Sequence, residues 1–345
     1  MYHVILAGGS GSRFWPQSRR NKPKQLINIY DKNTMIRHTV DRLKSMASVN
    51  NIMVVASAQL TKLIRKEIPE IPTENFIVEP SGKNTAPAIG LVAQHIFKKD
   101  NDALMGVYPA DHLILEDNLF ADAIHQAEKI ANNGNHIVTV GISPTYPATG
   151  YGYIKHLPKE NDSYRVEQFV EKPNKETATQ YLGEQNYLWN GGIFVWKAGT
   201  ILSEIKTHLP NLHNSLHEIA KNPEHLSSIW DTIVPESIDY GILEKSASIY
   251  VIPAKFTWSD LGSWKSLFDI STKNEDGNVI KGDTITINTS NSLVVSPNRL
   301  TALIGVKNLA VINIDNTTLI IPIEKAERVK EIVEMLQSMN GHEYL

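Results

Sequence analysis

The chain has 345 residues, a net charge of −3 and a sequence pI near 6.5, a length that suits two domains or one large α/β domain with an appendage. Apolar residues at 41% and charged residues at 21% can bury a substantial core, and without a global basic field a dedicated nucleic-acid binder is excluded. Cysteine is absent, which rules out disulfides, thiolate catalysis and cysteine-ligated zinc; no stretch reads as a leader or a membrane span, so a cytoplasmic enzyme is expected.

Strand-like apolar runs alternate with helical patterns through the first two-thirds of the chain. Strands are predicted at 4–6, 52–56, 76–78, 103–107 and 136–141, and helices at 35–45, 60–67, 85–98 and 120–131. Ala88, Leu91, Val92, His95 and Ile96 recur at the three- and four-residue spacing of a helix face. Such alternation indicates an α/β fold with a mainly parallel sheet covered on both faces. From about residue 281 the texture changes to short β-branched segments at 284–288, 292–296, 301–305, 309–314 and 317–322, separated by Asn, Asp, Gly and Pro turns. Ala326, Val329, Ile332, Val333 and Leu336 then form one face of a closing amphipathic helix. The division expected is a catalytic domain over 1–275 and a small β-rich domain over 276–345.

The first strand runs into Leu6-Ala7-Gly8-Gly9-Ser10-Gly11-Ser12-Arg13, with Pro23-Lys24-Gln25 following. Glycines let backbone N–H groups approach phosphate oxygens, and Arg13 and Lys24 add cationic contacts of the kind a triphosphate needs. The loop lacks the Gly-Lys-Ser/Thr of a P-loop, and Phe14 stands where a dinucleotide fingerprint requires its third glycine. Taken alone, Gly-Gly-Ser-Gly also fits a plain turn.

Asp111 follows a predicted strand within Tyr108-Pro-Ala-Asp-His112, where a carboxylate suits Mg²⁺ shared with substrate phosphates or, equally, a turn or helix cap. Asp260, in Trp258-Ser-Asp-Leu-Gly-Ser-Trp264, is a second candidate ligand or a turn residue between two core tryptophans. Glu79-Pro80 and Asn84-Thr85 lie between a strand and a helix; Asn84 or Thr85 suits the helix cap, and the same loop can present Glu79 to a purine edge. Gly152 lies in a tight turn suited to a sugar ring, Glu171-Lys172 precedes Pro173, and Asn190 opens a Gly-Gly pair.

Together these segments resemble the sugar-nucleotide pyrophosphorylases over nearly the whole chain, and the Asn84-Thr85-Ala86-Pro87 and Trp258–Trp264 segments resemble their mannose/guanine branch. The resemblance implies a Rossmann-like nucleotidyltransferase domain followed by a small left-handed β-helix-like domain that takes part in homodimer contacts. It implies transfer of GMP from GTP to α-D-mannose 1-phosphate. Arg13, Lys24 and Asp111 would be catalytic, and Leu6, Ala7, Gly8, Gly9, Gly11, Ser12, Glu79, Pro80, Asn84 and Thr85 would bind the nucleotide. Gly152, Glu171, Lys172 and Asn190 would bind the sugar phosphate, with Mg²⁺ on Asp111 and Asp260. Ser12, Phe14, Lys83 and Gly191 depart from the family pattern, and Gly191 removes a hydroxyl near the expected sugar pocket. Longer relatives carry a cupin-type isomerase domain, and a single activity is expected here. A different hexose 1-phosphate or nucleoside triphosphate, or a non-catalytic sugar-nucleotide-binding regulator, stays open as an alternative.

Overall fold

The computed structural model describes residues 1–9, 11–159, 163–339 and 341–345; Ser10 of the glycine loop lies outside them. Among the described residues fifteen strands are formed: β1 Tyr2–Leu6, β2 Ile52–Ser57, β3 Phe76–Glu79, β4 Leu104–Pro109, β5 Leu113–Ile114, β6 Ile137–Ile142, β7 Tyr153–His156, β8 Tyr164–Val170, β9 Tyr187–Lys197, β10 Ile249–Pro253, β11 Trp258–Ser259, β12 Val279–Ile287, β13 Leu293–Ile304, β14 Leu309–Ile314 and β15 Thr317–Pro322. The helices are α1 Met35–Lys44, α2 Ala58–Glu67, α3 Thr85–Lys99, α4 Asp117–Asn132, α5 Lys175–Gly183, α6 Ala198–His208, α7 Pro210–Lys221, α8 Leu226–Thr232, α9 Trp264–Ile270 and α10 Val329–Ser338. Each strand and helix expected before residue 142 is present within a few residues of its predicted ends.

Residues pack into two compact units that interleave along the chain: Met1–Gly8, Val40–Ala110 and Ile114–Trp258 in the first, Gly9–Thr39, Asp111–Leu113 and Ser259–Leu345 in the second. The glycine loop and Lys24 therefore belong with the C-terminal residues, a grouping that no linear boundary expresses.

The first unit is built on a nine-stranded sheet of order β3-β2-β1-β4-β9-β6-β10-β8-β7. Seven strands share one direction and β8 and β9 oppose it, so the sheet is mixed but mostly parallel. Strand β9, like the other elements between residues 142 and 281, is not among those that sequence periodicity predicts. Its buried residues, including Trp189, Phe194 and Trp196, mark a core strand, but an apolar run carries no signal of direction. Helix α3 lays Ile89, Val92, Ala93 and Ile96 into a core shared with Val107, Trp196, Ile201, Leu216 and Trp230. The strands β1, β3 and β4 end at Leu6, Glu79 and Pro109, at the edge of the sheet where such folds place their ligands.

In the second unit β12, β13 and β14 pair in parallel in consecutive order, as successive turns of a β-helix do, and β15 returns antiparallel. The segments 292–296 and 301–305, expected as separate strands, form the single strand β13. Its register against β12 shifts between Gly282 and Thr284, opposite residues 297–300. Gly282 makes that corner possible: its φ is +103°, and a Cβ there would lie 2.0 Å from the Ser296 carbonyl oxygen. Strain of this kind typically costs about 1–3 kcal/mol before any backbone shift. Gly282→Ala should therefore lower the thermal midpoint of the protein by several degrees, and an unchanged melting curve would contradict this account of the corner.

Candidate active site

In the second unit the loop after β1 turns back through two glycines with positive φ, Gly9 at +88° and Gly11 at +62°. A Cβ on Gly9 would meet nothing within 4 Å, so this part of the loop borders open space where an anion can approach. Gly11 is constrained differently. A Cβ there would lie 2.2 Å from the Lys24 Cβ, so the loop and the Lys24 segment are in backbone-close contact. Two further bonds hold this arrangement: Gln25 Nε2 donates to the Gly9 carbonyl at 3.2 Å, and the Ser18 hydroxyl donates to the Gly11 carbonyl at 2.8 Å. Ser12 and Arg13 begin the short 3₁₀ turn Ser12–Phe14, on which Arg13 is exposed.

Lys24 is only 6% exposed. Its ammonium donates to Asp111 Oδ2 at 2.8 Å and to the Asp260 main-chain carbonyl at 2.6 Å. Residues 24, 111 and 260, far apart in sequence, thus meet at one nitrogen. Burial alone would raise the Asp111 carboxyl, but the charge of Lys24, the charge of His112 and the hydrogen bond from Lys24 together hold it below the ordinary range. It is ionised at neutral pH. The Asp260 turn is shaped locally: Leu261 takes a φ of +42°, its N–H donates to Ser259 Oγ at 3.1 Å, and the Gly262 N–H donates to Asp260 Oδ1 at 3.0 Å. Trp264, fully buried, anchors the start of α9 by donating its indole N–H to the Trp15 carbonyl at 3.0 Å.

In the first unit, Leu6, Ala7 and Gly8 continue from β1, and the Ala7 N–H donates to the Val55 carbonyl at 2.9 Å. Glu79 closes β3 at 8% exposure, and burial pushes its carboxyl up to about 7. The loop from Pro80 leads to Asn84, whose φ of +71° and side-chain bond to the Thr85 N–H at 2.8 Å cap α3, as the sequence suggests. Thr85 also accepts the Ile238 N–H on its hydroxyl at 2.8 Å, while Ala86 N–H donates to the Glu236 carbonyl at 3.0 Å. The 79–87 loop is therefore strapped to residues 236–238.

That strap runs straight into the residues expected to hold a sugar phosphate. The Asn190 N–H donates to the Gly152 carbonyl at 2.8 Å, and a Cβ on Gly152 would lie 2.6 Å from Glu171 Oε2, so glycine is needed for Glu171 to approach. Glu171 is 8% exposed at its side chain and is bonded to the Lys172 ammonium; Lys172 itself takes a φ of +47° at the turn before Pro173. Asn190 sits where the β6–β9 register shifts, beside Gly191 and Gly192. A Cβ on Gly191 would meet the Val140 carbonyl oxygen at 2.8 Å. The departure at this position, expected as a lost hydroxyl, is thus a close-packing requirement of the bulge.

Sequence reasoning gave no role to Asp239. It opens a π-helical turn, Asp239–Leu243, and accepts a bond from Asn190 Nδ2 at 3.1 Å. Burial, and then the charge of Glu171, push its carboxyl up to about 7.

Comparison with known proteins identifies the family. The nucleotidyl transferase family matches residues 2–277, and the MannoseP isomerase/GMP-like beta-helix domain matches residues 282–336. Mannose-1-phosphate guanylyltransferase 2 of Escherichia coli O157:H7 is 38% identical over 99% of this chain and 74% of its own length. Mannose-1-phosphate guanylyltransferase of Klebsiella pneumoniae is 38% identical over 99% of this chain and 75% of its own. The crystal structure of mannose-1-phosphate geranyltransferase from Thermus thermophilus superposes with a TM-score of 0.91 at 30% identity, covering 97% of this chain and 99% of that one. The chain belongs to the mannose-1-phosphate guanylyltransferase family of nucleotidyl transferases.

Proposed function

We propose that the protein transfers GMP from GTP to α-D-mannose 1-phosphate, giving GDP-mannose and pyrophosphate. The observation that carries this reading is the Lys24 ammonium held jointly by Asp111 and Asp260, joined to a glycine loop that borders open space at Gly9. The relatives named for this reaction supply the choice of sugar and base.

A phosphate oxygen of mannose 1-phosphate attacks the α-phosphorus of GTP, a new P–O–P bridge forms, the bond to the β-phosphate oxygen breaks, and pyrophosphate leaves with the electron pair. The attacking oxygen is already anionic, so no general base is needed, and alignment and charge stabilisation do the catalytic work. Arg13 and the loop N–H groups of Gly8, Gly9, Gly11 and Ser12 grip the triphosphate. Lys24 holds Asp111 ionised and in place. Glu79, with Pro80, Asn84 and Thr85, faces the base, and a carboxylate there accepts the N–H donors on the guanine edge. Glu171 and Asn190 orient the mannose and Lys172 meets its phosphate. The two carboxylates fit Mg²⁺, a hard cation that takes oxygen ligands from one or two acids and the rest from phosphates and water. Bound to Asp111 and Asp260, it would supply charge neutralisation at the α-phosphate.

Pyrophosphate release measured across the common nucleoside triphosphates and several hexose 1-phosphates should be greatest with GTP and mannose 1-phosphate. Preference for another pair would replace the substrate assignment, and no release with any pair would favour a regulatory binder. Removing a charge used in the transition state typically costs about 10²–10³ in turnover. Arg13→Ala and Asp111→Asn should each lower kcat by that order, and an Asp111→Asn enzyme with near-normal Mg²⁺-dependent turnover would refute the metal assignment.

The reading extends to a cytoplasmic homodimer. On β12 and β13, Ile285 pairs with Ala302 and Ile287 with Ile304, placing four apolar residues on one face. Ile285 is 53% exposed, Ile287 50% and Ile304 72%. An apolar face of this kind marks an interaction surface. Light scattering should show a dimer that Ile304→Asp converts to a monomer; a monomeric parent protein, or a dimeric variant, would remove this assignment.

A further inference from the structure

Asn190 is nearly consumed by its surroundings. Its Oδ1 accepts the Gly192 N–H at 3.1 Å, and the Thr139 hydroxyl lies against the same oxygen at 3.2 Å while also reaching the Ile193 carbonyl at 3.0 Å. The Gly192 donor fixes which end of the amide is oxygen. One N–H of Nδ2 goes to Asp239 Oδ1 at 3.1 Å, which leaves a single N–H for a ligand among the described bonds. The bulge at Gly191 and Gly192 sets where Asn190 emerges from β9, and Asp239 sets how its amide is turned.

Asp239 lies among charges drawn from several elements. Glu171 and Lys172 come from the segment after β8, and Glu244 follows its own turn. Glu244 in addition accepts the backbone N–H of Glu171 at 3.0 Å. Two carboxylates beside one lysine leave no balance for a third negative charge when an anionic sugar phosphate arrives.

We propose that Asp239 is a positioning residue of the sugar-phosphate site, fixing the Asn190 amide as a hydrogen-bond donor so that Asn190 and Glu171 act as a donor and an acceptor for hydroxyls of the hexose, and doing so as a neutral carboxylic acid. The inference rests on the sugar-phosphate reading of Asn190 and Glu171 given above. The elevated proton affinity of this carboxyl, to about 7, agrees with it. Protonated, Asp239 still accepts from Asn190 on Oδ1 and adds no charge near Glu171. Ionised, it repels the incoming phosphate. Affinity for the sugar phosphate is accordingly highest below about pH 7 and falls as the pH rises through that value.

The test is the KM for mannose 1-phosphate against pH, with GTP saturating because Glu79 titrates in the same range. If only the neutral form binds well, KM rises roughly eightfold between pH 6.5 and 8. Asp239→Asn keeps an oxygen for Asn190 and cannot ionise, so its KM should stay within about twofold over that range. Asp239→Ala should raise KM about tenfold, with a smaller change in kcat. A flat KM profile in the parent enzyme, or a profile in Asp239→Asn that still climbs eightfold, overturns the proposal. If Asp239→Asn does not fold, as read by its melting curve, the parent profile alone decides. Absence of any turnover of mannose 1-phosphate by the parent enzyme would instead overturn the substrate reading on which the proposal rests.

Discussion

A buried ammonium needs partners, because an isolated charge removed from water costs several kcal/mol. Lys24 meets that need with one carboxylate and one main-chain carbonyl, and those two partners belong to distant segments of the chain. The ammonium is therefore both a structural tie and a chemical device. It closes residues 111 and 260 onto the glycine loop through the Gly11 contact, and it keeps Asp111 ionised despite partial burial. Gly11 has no alternative residue in this arrangement, since any side chain would occupy the space of Lys24 itself.

The residues proposed for the sugar phosphate show the opposite electrostatic regime. There the acids outnumber the single lysine, and burial favours the neutral form of Asp239. Hydrogen-bond accounting then replaces charge as the organising rule: Asn190 has most of its capacity spent on Gly192, Thr139 and Asp239, and what is left is directional. A site that is fixed in this way discriminates between hydroxyl arrangements by leaving a polar group unpaired when the wrong one is bound. The strap at residues 236–238 links this turn to the Thr85 loop, so the residues proposed for the base and for the sugar share one backbone segment.

Much of this was legible in the sequence, and the reasons are specific. Gly9, Gly11, Arg13, Lys24 and Asp111 are residue types whose chemistry is informative without a fold, and the alternation of strands with helices places the glycine loop and Asp111 at strand ends. Their convergence was not legible, because the distance from Lys24 to Asp260 is a tertiary quantity. Strand β9 was hidden for a related reason: Trp189, Phe194 and Trp196 announce burial and say nothing of direction. Asp239 is an ordinary acid until Asn190, Glu171 and Glu244 surround it. Gly191 was read for the hydroxyl it lacks, whereas the structure requires it because the Val140 carbonyl leaves no room for a Cβ. The interleaving of the two units follows from the same contacts, since Gly11 packs against Lys24 and Trp264 is bonded to Trp15.

The central claim is that Lys24, Asp111 and the Asp260 turn work as one unit. A double-mutant cycle in kcat for Lys24→Met and Asp111→Asn, measured with GTP and mannose 1-phosphate at saturating Mg²⁺, tests it most directly. A single unit predicts that the double variant is no slower than the worse of the two single variants. Losses that multiply would show two independent contributions and contradict the account.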